Sequence, residues 1–409
     1  MNDKINPSKQ THFKSFTLQT KTITPEQKAF SPKVEDLVDI VPQQRLSARS
    51  SFKQLAQSNK EQFPDKTYDN DDYLADLLKV LKVKSLVVGV GGAGNNIVSR
   101  LTELGFNSAE TLNINTDAHD LYYSNSNNKF LLGKERCNGL GSGNNPYIGA
   151  SAAEDDVDNL RKMLQADIVF ILTGMGGGTG TGAAPIIARE AKKNNAMVVT
   201  LCSIPFKSEG NMRRQRAKMG LKNMAKFSDT LIPLPNDNLV QFLPKAPMLT
   251  CFKIMDEVLV KTISESVNLI NNCGIVNIDF ADIKKVFEKN GEYPSGLIGI
   301  TESMGTDNDL INKSKLALHN PLLKPNTKKV DHCLVSVTGD HKLSLSKVDR
   351  IISTITKDIP DDAELKFGTS MDPNLAKKVK IMVLGRGPIS PYVRTAVDSE
   401  VPDIPPIPI

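Results

Sequence analysis

The sequence predicts an α/β fold: a doubly wound parallel sheet, a long helix and then a second, smaller α/β domain. Three observations predict it. From Val83 onward, short strand-like apolar runs alternate with helical stretches, the order that lays crossover helices on both faces of a parallel sheet. Glycine-rich loops at 89–94, 139–146 and 174–182 each precede a helix, and the first and last directly follow a strand. After Asp282 the chain turns β-rich, in CLVSVTG (333–339), AELKFGTS (363–370) and KVKIMVLG (378–385).

Taken in order, residues 1–70 read as a disordered N-terminal tail. They are rich in Lys, Gln, Ser, Asn and Thr, and their short apolar groups cannot bury enough surface to offset the entropy of ordering. DDYLADLLKVLK (71–82) then spaces Leu74, Leu77, Leu78 and Leu81 as a short amphipathic helix behind an Asp-rich start. KSLVVGV is a buried strand, Asn95–Leu104 a helix and TLNIN (111–115) a strand. A helix over 151–165 leads to the strand ADIVFIL (166–172), a helix over 183–194 and the strand AMVVTLCSI (196–204). A strand at Asp229–Leu234 precedes the longest helical stretch, about Leu249 to Asn271, and 346–357 is a helix of the second domain. Residues 387–409, with six prolines, read as a disordered C-terminal tail.

Composition bounds the function. The chain of 409 residues is 39% hydrophobic, enough for two or three cored domains. No apolar run approaches the roughly 20 residues that cross a bilayer, so no membrane span is expected. MNDKINPSKQ at the start lacks the apolar stretch of a signal peptide. Five scattered cysteines without a CxxC pair fit a reducing cytoplasm. A net charge of +5 raises the question of nucleic acid, but neither tail is a polybasic arm, and no nucleic-acid partner is expected.

The glycine loops carry the chemistry. GVGGAG (89–94) satisfies GxGxxG, and Asp117 ends the next strand, which is the dinucleotide fingerprint. It is a place where backbone N–H groups and a helix N-terminus meet a phosphate, or else a tight turn without ligand. GMGGGTGTG (174–182) is more informative. Its glycines let several N–H groups converge on one anion, and its threonines add hydroxyls without bulk. With GLGSGNNP (139–146) there are three loops, enough to wrap a triphosphate, whereas one NAD pyrophosphate needs only the first. No GxxxxGK[ST] occurs, so this is no Walker-type loop.

In this order and spacing, GVGGAGNN, NTD (115–117), GSGNNP, GGGTGTG, PFKSEGNMRR (205–214), PNDNL (235–239), NIDFAD (277–282) and GTSMDP (368–373) resemble FtsZ, the prokaryotic homologue of tubulin. The resemblance covers about 83–386, and the long polar N-terminal stretch with a short C-terminal one is similar to archaeal FtsZ. It implies a tubulin/FtsZ-like fold with a GTP-binding domain over 71–248, a central helix over 249–272 and a C-terminal GTPase-activating domain over 273–386. It also implies a cytoplasmic GTPase, found at the mid-cell division site, that polymerises head to tail for cell division. Its cofactors would be GTP and GDP with Mg²⁺ carried by the nucleotide, the protein itself holding no metal. An FtsZ paralogue and a membrane adaptor, gripped through Asp403-Ile404-Pro405, are the further partners implied.

Carried over by residue, Gly91, Gly92 and Ala93 line the phosphate pocket with Gly176, Gly177, Gly178, Thr179, Gly180, Thr181 and Gly182. Gly141, Ser142, Gly143 and Asn144 meet the terminal phosphate, and Asn115 of NTD belongs to the nucleotide site. Glu209 and Arg213 contact ribose; read without the family, their i,i+4 spacing also suits a surface ion pair. Asn96 helps recognise guanine and Phe252 packs on the base, where otherwise a core phenylalanine is expected. Asn277, Asp279 and Asp282 are the catalytic set, inserted into the pocket of the next subunit, with the two acids positioning and polarising water. Without the family they read as a helix N-cap and a solvated acid.

Three departures stand out. Asn144 replaces a glycine, and Asn is the best-tolerated alternative at positive φ. Asp256-Glu257 replaces the Asn-Asp pair that accepts from guanine, and ASAAEDD (150–156) lacks the usual arginines. Two rivals remain: a co-assembling scaffold or cell-shape regulator with weak hydrolysis, and an NAD-dependent enzyme that leaves GGGTGTG unexplained.

Overall fold

Strands β1 (Ser85–Val90), β2 (Glu110–Asn115), β3 (Asn128–Leu131), β4 (Ile168–Gly174), β5 (Met197–Ile204) and β6 (Thr230–Pro235) form one parallel sheet in the order β3-β2-β1-β4-β5-β6. Their central members are near-continuous runs of Val, Ile and Leu because both faces are covered, and every residue of β1 is buried. The order reverses at β1, which lies between β2 and β4. In a doubly wound sheet a ligand sits outside the carboxyl ends of the strands at such a switch point. This computed structural model describes residues 83–271, 276, 278–289 and 291–405. The expected tail over 1–70, the leading helix over 71–82 and Asn277 lie outside the described residues.

The helices that matter for the site are α1 (Gly91–Glu103), α2 (Ala118–Tyr123), α3 (Pro146–Asp155), α4 (Thr179–Lys193), α5 (Asn211–Phe227), α6 (Met248–Asn271) and α7 (Phe280–Phe287). Helices α1 and α4 begin inside the glycine loops, earlier than residues 95 and 183, since loop residues form their first turns. The expected helix over 151–165 is two helices, broken at Asp156, whose carboxylate accepts from the Gly133 N–H at 2.8 Å. The acids of ASAAEDD also have partners: Glu154 pairs with Arg189 at 2.8 Å and Asp155 with Arg136 at 2.7 Å. They tie α3 to its neighbours.

A second sheet of β7 (Gly296–Ser303), β8 (His332–Gly339), β9 (Glu364–Met371) and β10 (Val379–Arg386) runs β7-β10-β8-β9, with β10 antiparallel to β7 and β8, and β8 parallel to β9. Helices α8 (Asp307–Leu318) and α9 (Leu345–Thr356) cover it. Met255, Leu259 and Ile263 of α6 share one apolar core with Phe170 and Leu201 of the first sheet and Leu334 and Met382 of the second. The long helix therefore lies between the two sheets and packs on both.

Residues 387–405 correct the expectation of an unpacked tail. Pro391 starts helix α10 (Pro391–Val397), where its fixed φ suits the first turn. Val393 and Ala396 are fully buried in the core against α5, and Ile404 is only 8% exposed. Lys222 Nζ donates to the carbonyls of Ser399 and Val401 at 3.2 and 2.9 Å, and Lys226 pairs with Asp403 at 2.7 Å. The prolines punctuate this segment, while its few apolar side chains dock it.

Candidate functional site

A cleft of about 770 Å³ opens at the carboxyl ends of β1 and β4, where the strand order predicts a ligand. Its floor is built from the three glycine loops. Gly91 leaves β1 at φ +71°, and a Cβ there would lie 3.0 Å from the Gly180 nitrogen, so the first and third loops touch through backbone. Behind them, a Cβ at Gly182 would lie 1.9 Å from the Pro146 carbonyl oxygen, because α4 and α3 pack that closely. Hydroxyls knit the loops: Thr179 Oγ1 is 2.7 Å from Thr116 Oγ1 and 3.1 Å from Ser142 Oγ.

Gly91, Gly92, Ala93 and Asn96 line the cleft, as do Gly141, Ser142, Gly143 and Asn144, and Gly177, Gly178, Thr179 and Gly180. Gly176, Thr181 and Gly182 do not. Thr181 is buried and its hydroxyl accepts from the Gly176 N–H at 2.8 Å, so these three shape the loop from behind. Asn115 reaches the wall, but its side chain is engaged: Nδ2 donates to Asn95 Oδ1 at 2.9 Å and Oδ1 accepts from the Thr116 N–H at 2.9 Å. Asn144 sits at φ +58°, the left-handed conformation expected of a residue standing in for glycine.

At the far end, Glu209 and Arg213 form an ion pair of 3.1 Å and both line the cleft. Glu209 Oε1 also accepts from the Phe206 N–H at 2.7 Å, which fixes its place. Phe252 is 36% exposed and meets Phe206 edge-on at 5.4 Å, so it is a wall of the cleft and no core residue. Burial, helped by the neighbouring Glu257 charge, pushes the Asp256 carboxyl up to about 6. Glu257 is a correction to the sequence reading. It does not line the cleft, and it accepts from Arg100 Nε at 2.7 Å, since adjacent residues on a helix point in different directions.

Residues 84–244 match the Tubulin/FtsZ family, GTPase domain, and residues 295–387 the FtsZ family, C-terminal domain. Cell division protein FtsZ 1 of Pyrococcus abyssi is 38% identical over 343 residues, 83% of this chain and 91% of the relative. The cell division protein FtsZ of Methanothermobacter thermautotrophicus is 36% identical over 83% of this chain and 89% of its own. The chain belongs to the FtsZ family. A solved structure of an empty M. jannaschii FtsZ dimer agrees in fold, with TM-score 0.71 and 36% identity over 77% of this chain and 91% of that one. CetZ2 from Haloferax volcanii, at 20% identity and TM-score 0.65, shares the fold. The protein is therefore a GTPase that binds guanine nucleotide and assembles with copies of itself into protofilaments for cell division.

Two residues expected in an FtsZ active site are elsewhere in the chain. Asp279 caps α7, its Oδ1 accepting from the Asp282 N–H at 3.0 Å. That bond, with the nearby Lys366 and Lys285 charges, holds its carboxyl below the usual range. The Asp282 carboxylate lies 3.7 Å from Lys366 Nζ of β9. Neither acid lines the cleft.

Sequence reasoning missed several cleft residues. Asn236 is 4% exposed, and its Oδ1 has no hydrogen-bond partner, an acceptor free for a ligand. It lies within PNDNL, so the motif was visible and the residue was not singled out. Lys253 and Asp120 also line the cleft, as does Asp117, which the sequence placed only in the dinucleotide fingerprint. Asp117 Oδ1 caps α2 by accepting from the His119 and Asp120 N–H groups.

Proposed function

We propose that GTP lies with its phosphates among the three loops, its sugar against Glu209 and Arg213 and its base between Phe252 and Asp256, and that hydrolysis needs a second copy. The supporting observation is a separation. The loops that suit phosphate all line the cleft, while Asp279 and Asp282 start α7 outside it. In this reading the start of α7 in one subunit enters the cleft of the next. Asp279, kept ionised, accepts from the attacking water, and Asp282 with Asn277 orients it. The loop amides receive the charge that develops on the phosphate oxygens. Asp117 and Asp120 suit the water shell of an Mg²⁺ held chiefly by the phosphates, where the ion supplies neutralising charge.

The test is complementation between two variants. Asp282→Ala keeps its cleft and should bind GTP near normally while losing most turnover; equal loss of both would remove the role given to Asp282. Gly177→Asp sets a carboxylate among the phosphates at a position with open space for a side chain. Each alone should be nearly inactive, and an equimolar mixture should recover turnover. A mixture as inactive as its parts, with both folded and the first still binding GTP, overturns the shared site.

In the cell we infer a cytoplasmic protein at mid-cell, co-assembling with an FtsZ paralogue and engaging a membrane adaptor through Asp403-Ile404-Pro405 once that segment is released. An even distribution of a fluorescent fusion through dividing cells would contradict this placement.

A further inference from the structure

The loop assigned to the terminal phosphate contains a conformational demand that one residue outside it meets. Gly141, Gly143 and Asn144 all have positive φ, at +81°, +57° and +58°. Glycine adopts this conformation freely, and a residue with a Cβ does not. The Asn144 carbonyl accepts a hydrogen bond of 2.6 Å from Arg216 Nη1, on helix α5. Among the described residues no carboxylate pairs with Arg216, so the guanidinium charge is directed at this carbonyl. Arg213 precedes it by three positions and shares its helix face. One face of α5 thus touches the sugar end of the cleft through Arg213 and the phosphate loop through Arg216. The helix is anchored by Ala217, Leu221 and Met224, all buried, which adjoin this face.

We propose that Arg216 is a positioning residue for the terminal phosphate and sets the preference of this site for nucleoside triphosphate over diphosphate. Pinning the Asn144 carbonyl toward α5 fixes the Asn144–Asn145 peptide plane. The Asn145 N–H of that plane closes the turn onto the Ser142 carbonyl at 2.9 Å, and the left-handed Asn144 so held presents the N–H of the preceding peptide, unbonded within the described residues. A rotated peptide would swing a carbonyl oxygen into a site meant for anionic oxygens. GDP lacks the group that this loop meets, so its binding is insensitive to the pin. The proposal rests on the assignment of Gly141 to Asn144 to the terminal phosphate.

The experiment uses the full chain below its assembly concentration and measures binding of GDP and of a non-hydrolysable GTP analogue. For Arg216→Gln the analogue should bind about tenfold more weakly, the scale of a lost charged hydrogen bond. GDP affinity should hold within about twofold, and Arg216→Lys should recover part of the loss. In an Asn144→Gly background the penalty should shrink, because glycine adopts the left-handed conformation without help. Gly143→Ala, which strains the loop independently of Arg216, should also shift the analogue-to-GDP ratio. If Gly143→Ala shifts the ratio and Arg216→Gln weakens both ligands equally or neither, the role of Arg216 is overturned. If Gly143→Ala leaves the ratio unchanged, the phosphate-loop assignment falls, and the proposal with it.

Discussion

Asp256 shows how far a single side chain can tune this cleft. Its carboxyl is raised to about 6 by burial and by Glu257, and in the base-recognition role proposed for it, it would accept from both guanine N1–H and N2–H₂ only when ionised. Ionisation is complete well above pH 6 and is lost as pH falls through it, so guanine binding should weaken in that direction. GDP affinity should fall about tenfold per pH unit below 6, the limit for one required deprotonation, and the slope should vanish in Asp256→Asn. A titration showing equal slopes in both proteins would remove Asp256 from base recognition. Glu257→Gln should leave guanine selectivity intact, since its carboxylate serves Arg100. Sequence reasoning could place Asp256 and Glu257 at the base end together. It could not choose between them, because the choice depends on the rotation of α6 about its axis, and that is set by Met255, Leu259 and Ile263 packing between two sheets.

Among elements, the glycine loops and most strands were legible, edge strands β6 and β9 included, while β3 and β7 were not. β1 and β4 declare themselves through runs such as LVVGV and IVFIL. β3 is four residues at an edge, NKFL, with no periodicity to read. β7 hides behind glycines, one of which is there because α8 comes close: a Cβ on Gly299 would sit 1.8 Å from the Ala317 carbonyl oxygen. The segment 387–405 was misread because proline content outweighed three well-spaced apolar residues. It gives a direct prediction. Val393→Ala should lower unfolding free energy by about 1 to 2 kcal/mol, the cost of truncating a buried aliphatic side chain, and should speed proteolysis at 398–405. Unchanged cleavage kinetics would show that α10 does not hold the segment down.

For the molecule as a whole, the central question is what one copy lacks. The two sheets share a continuous core through α6, yet the cleft opens at the end of the first sheet, and the acids stand at α7 beside the second. A lone subunit therefore presents a receptor for nucleotide and, separately, a pair of carboxylates. Turnover per subunit should rise steeply with protein concentration and flatten once most clefts are capped. Phosphate release followed over a dilution series checks this, and a flat profile would place catalysis within one chain. The motif order made this arrangement readable at the level of the family. It left unread that Gly176, Thr181 and Gly182 support the loops from behind and that the Asn115 side chain is already engaged at the wall, because hydroxyl and amide commitments appear only once the loops are brought face to face.

The docking of Ile404 has a consequence for recognition. A partner that needs Asp403, Ile404 and Pro405 in the open binds only the fraction of molecules in which they are lifted off α5. With about 2 kcal/mol held in one buried isoleucine, that fraction is about one in thirty, and the apparent dissociation constant is raised by the same factor. The chain end is thereby a thermodynamic filter: weak, casual partners are refused, and only a partner presented at high local density, as on a crowded surface or along a polymer, collects enough open ends to stay.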